Sequence, residues 1–268
     1  MARSRDVHTQ EVFDGMKADY AAAKRSPYRR FRSGTNPTGS HADYHYGNSR
    51  DFLTMMEQAR AMIRDDSVIG QGIDRAVTNT ISNGIHPHPM TDDGSVNADL
   101  FARWIDWGND PEQCDVAGES TFWDFENFAL TQTFGDGDML FVPTIDGQLQ
   151  AFEGHRLRTP NGTKKNVVHG VLLSETRKRL QYWVTKEDVG LNSSVQLVGD
   201  TMQYDVRDSL GYRQVFHVYD PKRITQTRGV TALRPIMDIA GMFEDLNFAK
   251  LVQAQVVSCF AFFRTKNT

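Results

Sequence analysis

The feature that most constrains this chain is a long apolar pattern near its end, from about residue 233 to residue 263. The spacing predicts one helix with Pro235 in its first turn, where proline is tolerated, and a length of about 45 Å. Its apolar residues do not keep to one stripe but occur on nearly every side. Such a helix must be covered on most of its sides. It is either the central helix of its own domain, the commoner arrangement, or a helix that other subunits cover, and periodicity alone leaves both open.

Upstream of that helix, the chain divides into a helical half and a β-rich half near Gly135. Apolar residues recur at helical spacing in four segments, at about 52–63, 68–81, 97–109 and 122–133. Short apolar runs then predict a hairpin around Asp146-Gly147 and further strands at 170–173, 180–185 and 214–219. We therefore expect an α+β fold with a helical N-terminal half, a mainly antiparallel β middle and a long C-terminal helix.

The composition of residues 1–50, which are dense in Ser, Gly, Pro and Asn, predicts a flexible N-terminal arm. One segment of this arm interleaves basic and aromatic side chains. Such a segment can bind nucleic acid by phosphate contacts and stacking, or it is a solvated arm that docks on a neighbouring subunit, the interpretation we favour. The candidate nucleic-acid contacts are Lys24, Arg25, Arg29, Arg30 and Arg32.

The charge balance argues against a chain built to hold DNA tightly. The formal net charge is −4 at pH 7, whereas domains that bind phosphate backbones are usually basic. Cys114 and Cys259 lie far apart and outside any CxxC pattern, which excludes a zinc ribbon and fits a reducing cytoplasm. No apolar stretch is long enough to span a bilayer, so we expect no membrane partner.

Candidate catalytic groups are few. Asp136, Asp138 and Glu153 could serve a metal-dependent nuclease, but only the first two have useful spacing, and a turn leading into a strand explains them better. Glu153, His155 and Arg156 have no nucleophile near them in sequence, which favours a strand end with salt bridges. The motifs GxxxxGK[ST], GxGxxG, HExxH and GxSxG do not occur. We expect no catalytic residue, no metal and no cofactor.

One stretch of the second half resembles a known family. Residues 216–229, FHVYDPKRITQTRG, are similar to a run in lambda-type bacteriophage portal proteins that leads into a long helix. Further segments resemble the family in the same order over about residues 50–263, including the GDGD strand, where Asp138 stands in place of the usual Glu. The residues that match the family run are His217, Asp220, Arg223, Gln226, Arg228 and Gly229.

The resemblance implies a structural protein of the virion and no enzyme. Proteins of this family form a ring, expected to be a dodecamer, at one vertex of the capsid, and dsDNA passes through it during packaging and viral genome ejection without sequence specificity. The implied partners are copies of the chain itself, the terminase large subunit, a capsid or scaffold protein and head-completion proteins. Assembly would take place in the host cytoplasm.

The resemblance also implies a division of the chain. Residues 51–229 would form an α+β wing domain and residues 230–268 the first stem helix, while the clip, second stem helix and crown of the family are missing. It favours the arrangement in which other subunits cover the terminal helix, with Asp238, Glu244, Asp245, Lys250 and Gln253 at a channel or subunit interface. The alternatives are a monomeric DNA-binding adaptor acting through the basic arm and, less favoured, the nuclease.

Overall fold

The computed structural model describes residues 49–160, 166–186 and 201–260, with side chains from residue 52 onward. The five basic residues of the predicted arm therefore lie outside the described residues. The first helix begins at Ser49, so the last two residues assigned to the arm belong to that helix.

Five helices form the described part of the N-terminal half, and the four longer ones confirm the prediction. They are α1 (Ser49–Asp65), α2 (Ser67–Ile81), α3 (Gly94–Asn109), α4 (Pro111–Cys114) and α5 (Phe122–Gly135). Side-chain caps fix where they begin: Asp66 accepts two backbone N–H groups at the start of α2, and Thr121 and Asp124 form a capping box on α5. Helices α1, α2 and α5 pack around one small core.

Within the described ranges, seven strands form two antiparallel sheets. The three-stranded sheet, in the order β2-β1-β7, contains β1 (Asp138–Pro143), β2 (Leu149–Glu153) and β7 (Phe216–Tyr219). The four-stranded sheet, in the order β3-β4-β5-β6, contains β3 (Val167–Val168), β4 (Val171–Leu173), β5 (Arg179–Thr185) and β6 (Thr201–Asp205). The predicted strands are present with shifts of one or two residues, whereas β3 and β6 were not predicted.

Strand β1 is covered on both of its faces. Leu140 and Val142 belong to the core between the sheets, which also includes Tyr182 of β5. Phe141 points the other way and makes an edge-to-face contact with Phe125 of α5 at 5.6 Å between ring centroids. This explains why β1 is apolar almost throughout, and it places Asp138, the first residue of the strand, in the interior of the protein.

The terminal helix, α6, spans Met237–Cys259, and the predicted start at residue 233 is wrong. Leu233 is buried in the core of the helical half, and its N–H donates to the hydroxyl of Thr231, so the chain turns here. Pro235 consequently lies in the turn before the helix. With 23 residues the helix is about 35 Å long; Phe260 is extended, and the predicted end at residue 263 lies outside the described residues. No described helix is both long and apolar enough to cross a membrane.

Two glycines of α2 provide a test of the contact between α1 and α2. A Cβ atom at Gly70 would lie 2.5 Å from the carbonyl oxygen of Ile63, whereas one at Gly72 would meet no atom within 4 Å. We expect Gly72→Ala to raise the free energy of unfolding by about 0.5–1 kcal/mol, and Gly70→Ala to lower it by about 1–3 kcal/mol. Urea denaturation measures both, and equal stabilisation by the two substitutions would contradict the close approach.

Candidate subunit interface and its attachment to the fold

The terminal helix stands out from the described part of the protein without cover. Met237 packs against the core of the helical half, but every residue from 241 to 260 is exposed. Large apolar side chains are exposed on all sides, with Phe248 at 69% and Val257 at 62%. For the described part of the chain, the central-helix arrangement is therefore wrong.

The candidate channel residues lie on this same helix. All five are exposed: Asp238, Glu244, Asp245, Lys250 and Gln253. Three are acidic and one is basic, so the helix carries a small negative charge among its apolar side chains. Their assignment to a channel or a subunit interface stays a prediction.

A buried ion pair joins the segment before α6 to the sheet. Arg228 and Asp138 are both fully buried, and two hydrogen bonds connect them, from Nε to Oδ2 at 2.5 Å and from Nη2 to Oδ1 at 2.8 Å. Arg228 also donates to three carbonyl oxygens, and its guanidinium lies 5.3 Å from the centre of the Phe52 ring of α1. We refer to this contact as the Asp138–Arg228 pair.

His217 of β7 supplies a further donor to the same carboxylate. Its Nε2 lies 3.0 Å from Asp138 Oδ2, and its Nδ1 lies 3.3 Å from the Tyr182 hydroxyl. Burial lowers the pKa of His217 from 6.5 to about 4, although the hydrogen bond and the negative charge of Asp138 act to raise it. The imidazole is therefore neutral at pH 7, with Nε2–H donating to Asp138 and Nδ1 accepting from Tyr182.

The pKa of Asp138 reflects these contacts. Burial alone would raise it, but the charge of Arg228 and the hydrogen bonds from Arg228 and His217 outweigh burial and hold the pKa far below its ordinary value. The backbone N–H of Gly229 is an additional donor, at 2.9 Å from Oδ2. The carboxylate thus stays ionised inside the protein, with four hydrogen bonds to satisfy it.

Gly229 holds the segment against the α5–β1 junction. A Cβ atom at Gly229 would lie 1.8 Å from the carbonyl oxygen of Gly137, so any other residue would separate the two backbones. Thr231 Oγ1 and the N–H of Ala232 both donate to the carbonyl oxygen of Phe134. The chain is therefore bound to the core at several consecutive residues shortly before α6 begins.

The other residues of the family run divide between interior and surface. Gln226 is buried; its Oε1 accepts the N–H of Lys222 at 2.7 Å and its Nε2 donates to the carbonyl of Arg228 at 2.8 Å. Asp220 is exposed and forms a salt bridge with Lys222, and Arg223 is exposed as well. His217, Gln226, Arg228 and Gly229 are thus brought together inside the fold, and Asp220 and Arg223 are not.

A second ionic cluster bears on the nuclease alternative. Asp136, Glu153 and His155 offer metal-ligand atoms within 4.8 Å of one another. The guanidinium of Arg60 lies among them, with Nη2 2.5 Å from Asp136, 2.7 Å from Glu153 and 3.1 Å from His155 Nδ1. Since Arg60 supplies the positive charge here and Arg228 supplies it at Asp138, the three carboxylates of that hypothesis are already paired with arginines.

The pKa values of this cluster follow from its contacts. Burial raises the pKa of Asp136, against the attraction of Arg60. The hydrogen bond from His155 and the charge of Arg60 lower the pKa of Glu153 to about 2, although burial opposes them. Arg156, the third residue of the predicted strand end, instead donates to the carbonyl oxygens of Thr185 and Lys186.

The partners in both clusters were not predicted from the sequence. Arg228 was identified without Asp138 as its counter-ion, and Arg60 and Tyr182 were not identified at all. A usable signal was present in the sequence, because Asp138 begins a strand that is apolar almost throughout. Such a strand is covered on both faces, and a carboxylate buried there needs a cation.

The chain matches a known protein family. Residues 28–268 match the model of a family described as phage portal protein, lambda family. That match covers most of the chain, so the chain belongs to the lambda family of phage portal proteins. A comparison with curated proteins gave no match.

Breaking the Asp138–Arg228 pair from one side should be costly. Arg228→Met leaves the Asp138 carboxylate buried without a cation, and we expect the free energy of unfolding to fall by about 3–5 kcal/mol. Asp138→Asn/Arg228→Met removes both charges, and its loss in free energy of unfolding should be less than the sum of the losses in the two single variants. Chemical denaturation of all three variants measures these losses.

Arg103→Met is the matched control, because it breaks the exposed pair with Asp99 on α3. It should cost no more than about 0.5 kcal/mol. A similar loss of unfolding free energy in Arg103→Met and Arg228→Met would show that burial does not make the Asp138–Arg228 pair more costly to break than an exposed pair.

Acid should destabilise the protein through His217. Its folded-state pKa lies below the ordinary value of 6.5, so between about pH 6.5 and 4 the unfolded chain binds more protons and stability falls as pH falls. One such group contributes up to about 1.4 kcal/mol per pH unit. Denaturation at several pH values measures this slope in the wild type and in His217→Gln.

The slope should become smaller in His217→Gln and remain unchanged in His88→Gln, which replaces an exposed histidine. An unchanged slope in His217→Gln would contradict a buried, neutral His217. The test does not depend on the baseline stability of either variant, because only the slope is compared.

Proposed function

We propose that this chain is a subunit of a homo-oligomeric portal ring at a capsid vertex, through which dsDNA is packaged and ejected. The observation that carries the proposal is α6, whose apolar side chains are exposed all round from residue 241 to residue 260. An apolar surface of this extent marks an interaction site. In a family of phage portal proteins, the partner that best explains it is a second copy of the same helix on each side.

A closed ring accounts for apolar residues on opposite sides of one helix. Each subunit in a ring offers two different faces to its two neighbours. Leu246 and Phe248 lie on different sides of α6, because residues two positions apart in a helix are separated by about 200° around its axis. Both side chains are exposed. Neighbouring copies would cover these two sides, and the side that carries Asp238 and Asp245, one heptad apart, would face the hole or the solvent.

The charge distribution suits a passage that DNA moves through without adhering. The helix carries three acidic residues and one lysine, and the whole chain has a net charge of −4. Repeated around a ring, this surface would repel phosphate weakly. The GxxxxGK[ST] motif of ATP-binding loops does not occur in the sequence, and in the proposed ring the work of packaging would come from a terminase motor that docks on it.

The attachment of α6 supports a mechanical role for this helix in the ring. Arg228, Gly229 and Thr231 are bound to the core by hydrogen bonds shortly before the helix begins. A helix held in this way keeps its direction relative to the wing. In the proposed ring, the wing residues 51–229 would face the capsid or scaffold protein and the head-completion proteins.

The experiment is to observe assembly directly. We expect the purified chain to form rings with a central hole in negative-stain electron microscopy, and a corresponding large species in sedimentation velocity. Leu246→Asp/Phe248→Asp should abolish the rings, because burying two carboxylates between apolar helices is unfavourable. Its unfolding as a monomer should be unchanged, since both side chains are exposed in the subunit.

Met90→Asp/Ile145→Asp is the control, because it changes two exposed apolar residues away from α6. It should assemble like the wild type. A wild-type chain that stays monomeric, or equal loss of assembly in both double variants, would contradict the proposal. A monomer whose DNA binding depends steeply on salt and is lost on deleting residues 24–32 would instead support the adaptor alternative.

A further inference from the structure

A cationic cavity lies at the surface beside the four-stranded sheet. It has a volume of about 350 Å³, and its walls come from the β4–β5 turn, β5, the β6–β7 connection and the loop after β7. Five of its eleven lining residues are cationic and none is acidic. The cationic residues are Arg177, Lys178, Arg179, Arg207 and Arg213.

Four of these cations, Lys178, Arg179, Arg207 and Arg213, differ from the ion-paired Arg60 and Arg228. Arg60 and Arg228 are each paired with a carboxylate at 2.5 Å. By contrast, no carboxylate of the described residues forms a salt bridge with Lys178, Arg179, Arg207 or Arg213. In a chain with a net negative charge, several cations around one cavity that has no acidic lining residue favour an anionic ligand.

Neutral groups hold the guanidinium groups in place. Arg179 donates to the carbonyl oxygen of Thr227 at 3.0 Å and to the Tyr219 hydroxyl, and its guanidinium lies 4.8 Å from the centre of the Tyr219 ring. Arg213 Nε donates to the carbonyl of Val215 at 2.9 Å. Because a guanidinium has five N–H donors, these contacts fix its position and leave donors for a ligand.

Arg177 adds a strained position to the cavity wall. Its φ is 63°, in the left-handed region that residues other than glycine and asparagine rarely adopt. Its N–H donates to the carbonyl of Ser174, which closes the β4–β5 turn, and its side chain donates to Thr227 Oγ1 at 3.1 Å. Strain of this kind is concentrated at functional sites.

We propose that this cavity binds a phosphate group, either from a DNA backbone or from a small phosphate compound. Several arginines and a lysine around one concave surface match a tetrahedral, negatively charged phosphate group, whose non-bridging oxygens accept charge-assisted hydrogen bonds. The proposal goes beyond the proposed ring, because α6 provides the subunit contacts and the cavity lies in the wing. Phosphate binding and ring formation can therefore fail independently.

The test uses the complete chain and two probes. Inorganic pyrophosphate is titrated by calorimetry, and a short DNA duplex of mixed sequence is titrated by fluorescence anisotropy at several salt concentrations. In Lys178→Gln/Arg213→Gln, which removes two exposed cations, we expect pyrophosphate affinity to fall at least tenfold. If DNA supplies the phosphate, the slope of log affinity against log salt should also fall by about two.

The control is Arg64→Gln/Arg75→Gln, which changes the net charge equally at two exposed arginines away from the cavity. It should bind both probes like the wild type. The basic segment 24–32 is the same in all three proteins, so differences between them come from the substituted residues. A loss of pyrophosphate binding with unchanged DNA binding would identify a small phosphate compound as the ligand.

Three results would overturn the proposal. One is a wild-type chain that binds neither probe. Another is an equal loss of binding in the control and the cavity variant. The third is a cavity variant that binds both probes normally but loses salt-sensitive self-association, which would show that the cations meet an acidic surface of another copy.

Discussion

The buried contact between Asp138 and Arg228 is the interaction on which the rest of the structure depends. Two charges removed from water are expensive unless every donor and acceptor is satisfied, and here the carboxylate receives four hydrogen bonds, including those from His217 and Gly229. The pair brings together the first residue of the central strand, the last strand of its sheet and the segment before α6. A different arrangement of these three elements would leave a charge buried and unpaired.

Local patterns explain which elements could be predicted. The four longer helices follow from apolar periodicity and from capping residues such as Asp66, which act within one turn. Strand β6, TMQYD, was missed because it is a short edge strand: Met202 and Tyr204 alternate with polar residues, but two apolar residues are a weak signal. The start of α6 was misplaced because Leu233 is apolar for a different reason: it belongs to the core of the helical half and not to the exposed helix.

The candidate site was predictable only in part. The resemblance identified Arg228 and Gly229, but their partners lie far away in sequence: Asp138 is 90 residues before Arg228, and Asp136 is 76 residues after Arg60. Separations of this kind leave no periodic trace, and a charged residue in isolation is expected to be solvated. Only the three-dimensional structure shows which charges are paired and that four cations around one cavity have no carboxylate partner among the described residues.

In the proposed ring, the exposure of α6 would divide the formation of the native state into two stages with different concentration dependence. The described residues before α6 contain their own cores and their own charge pairs, so they gain their stability within one molecule. The helix would gain cover by association, and that part of the free energy would grow with subunit concentration. A newly made subunit would therefore be folded and yet prone to clustering, and the rate at which neighbours are captured in register would decide between a closed ring and an open aggregate.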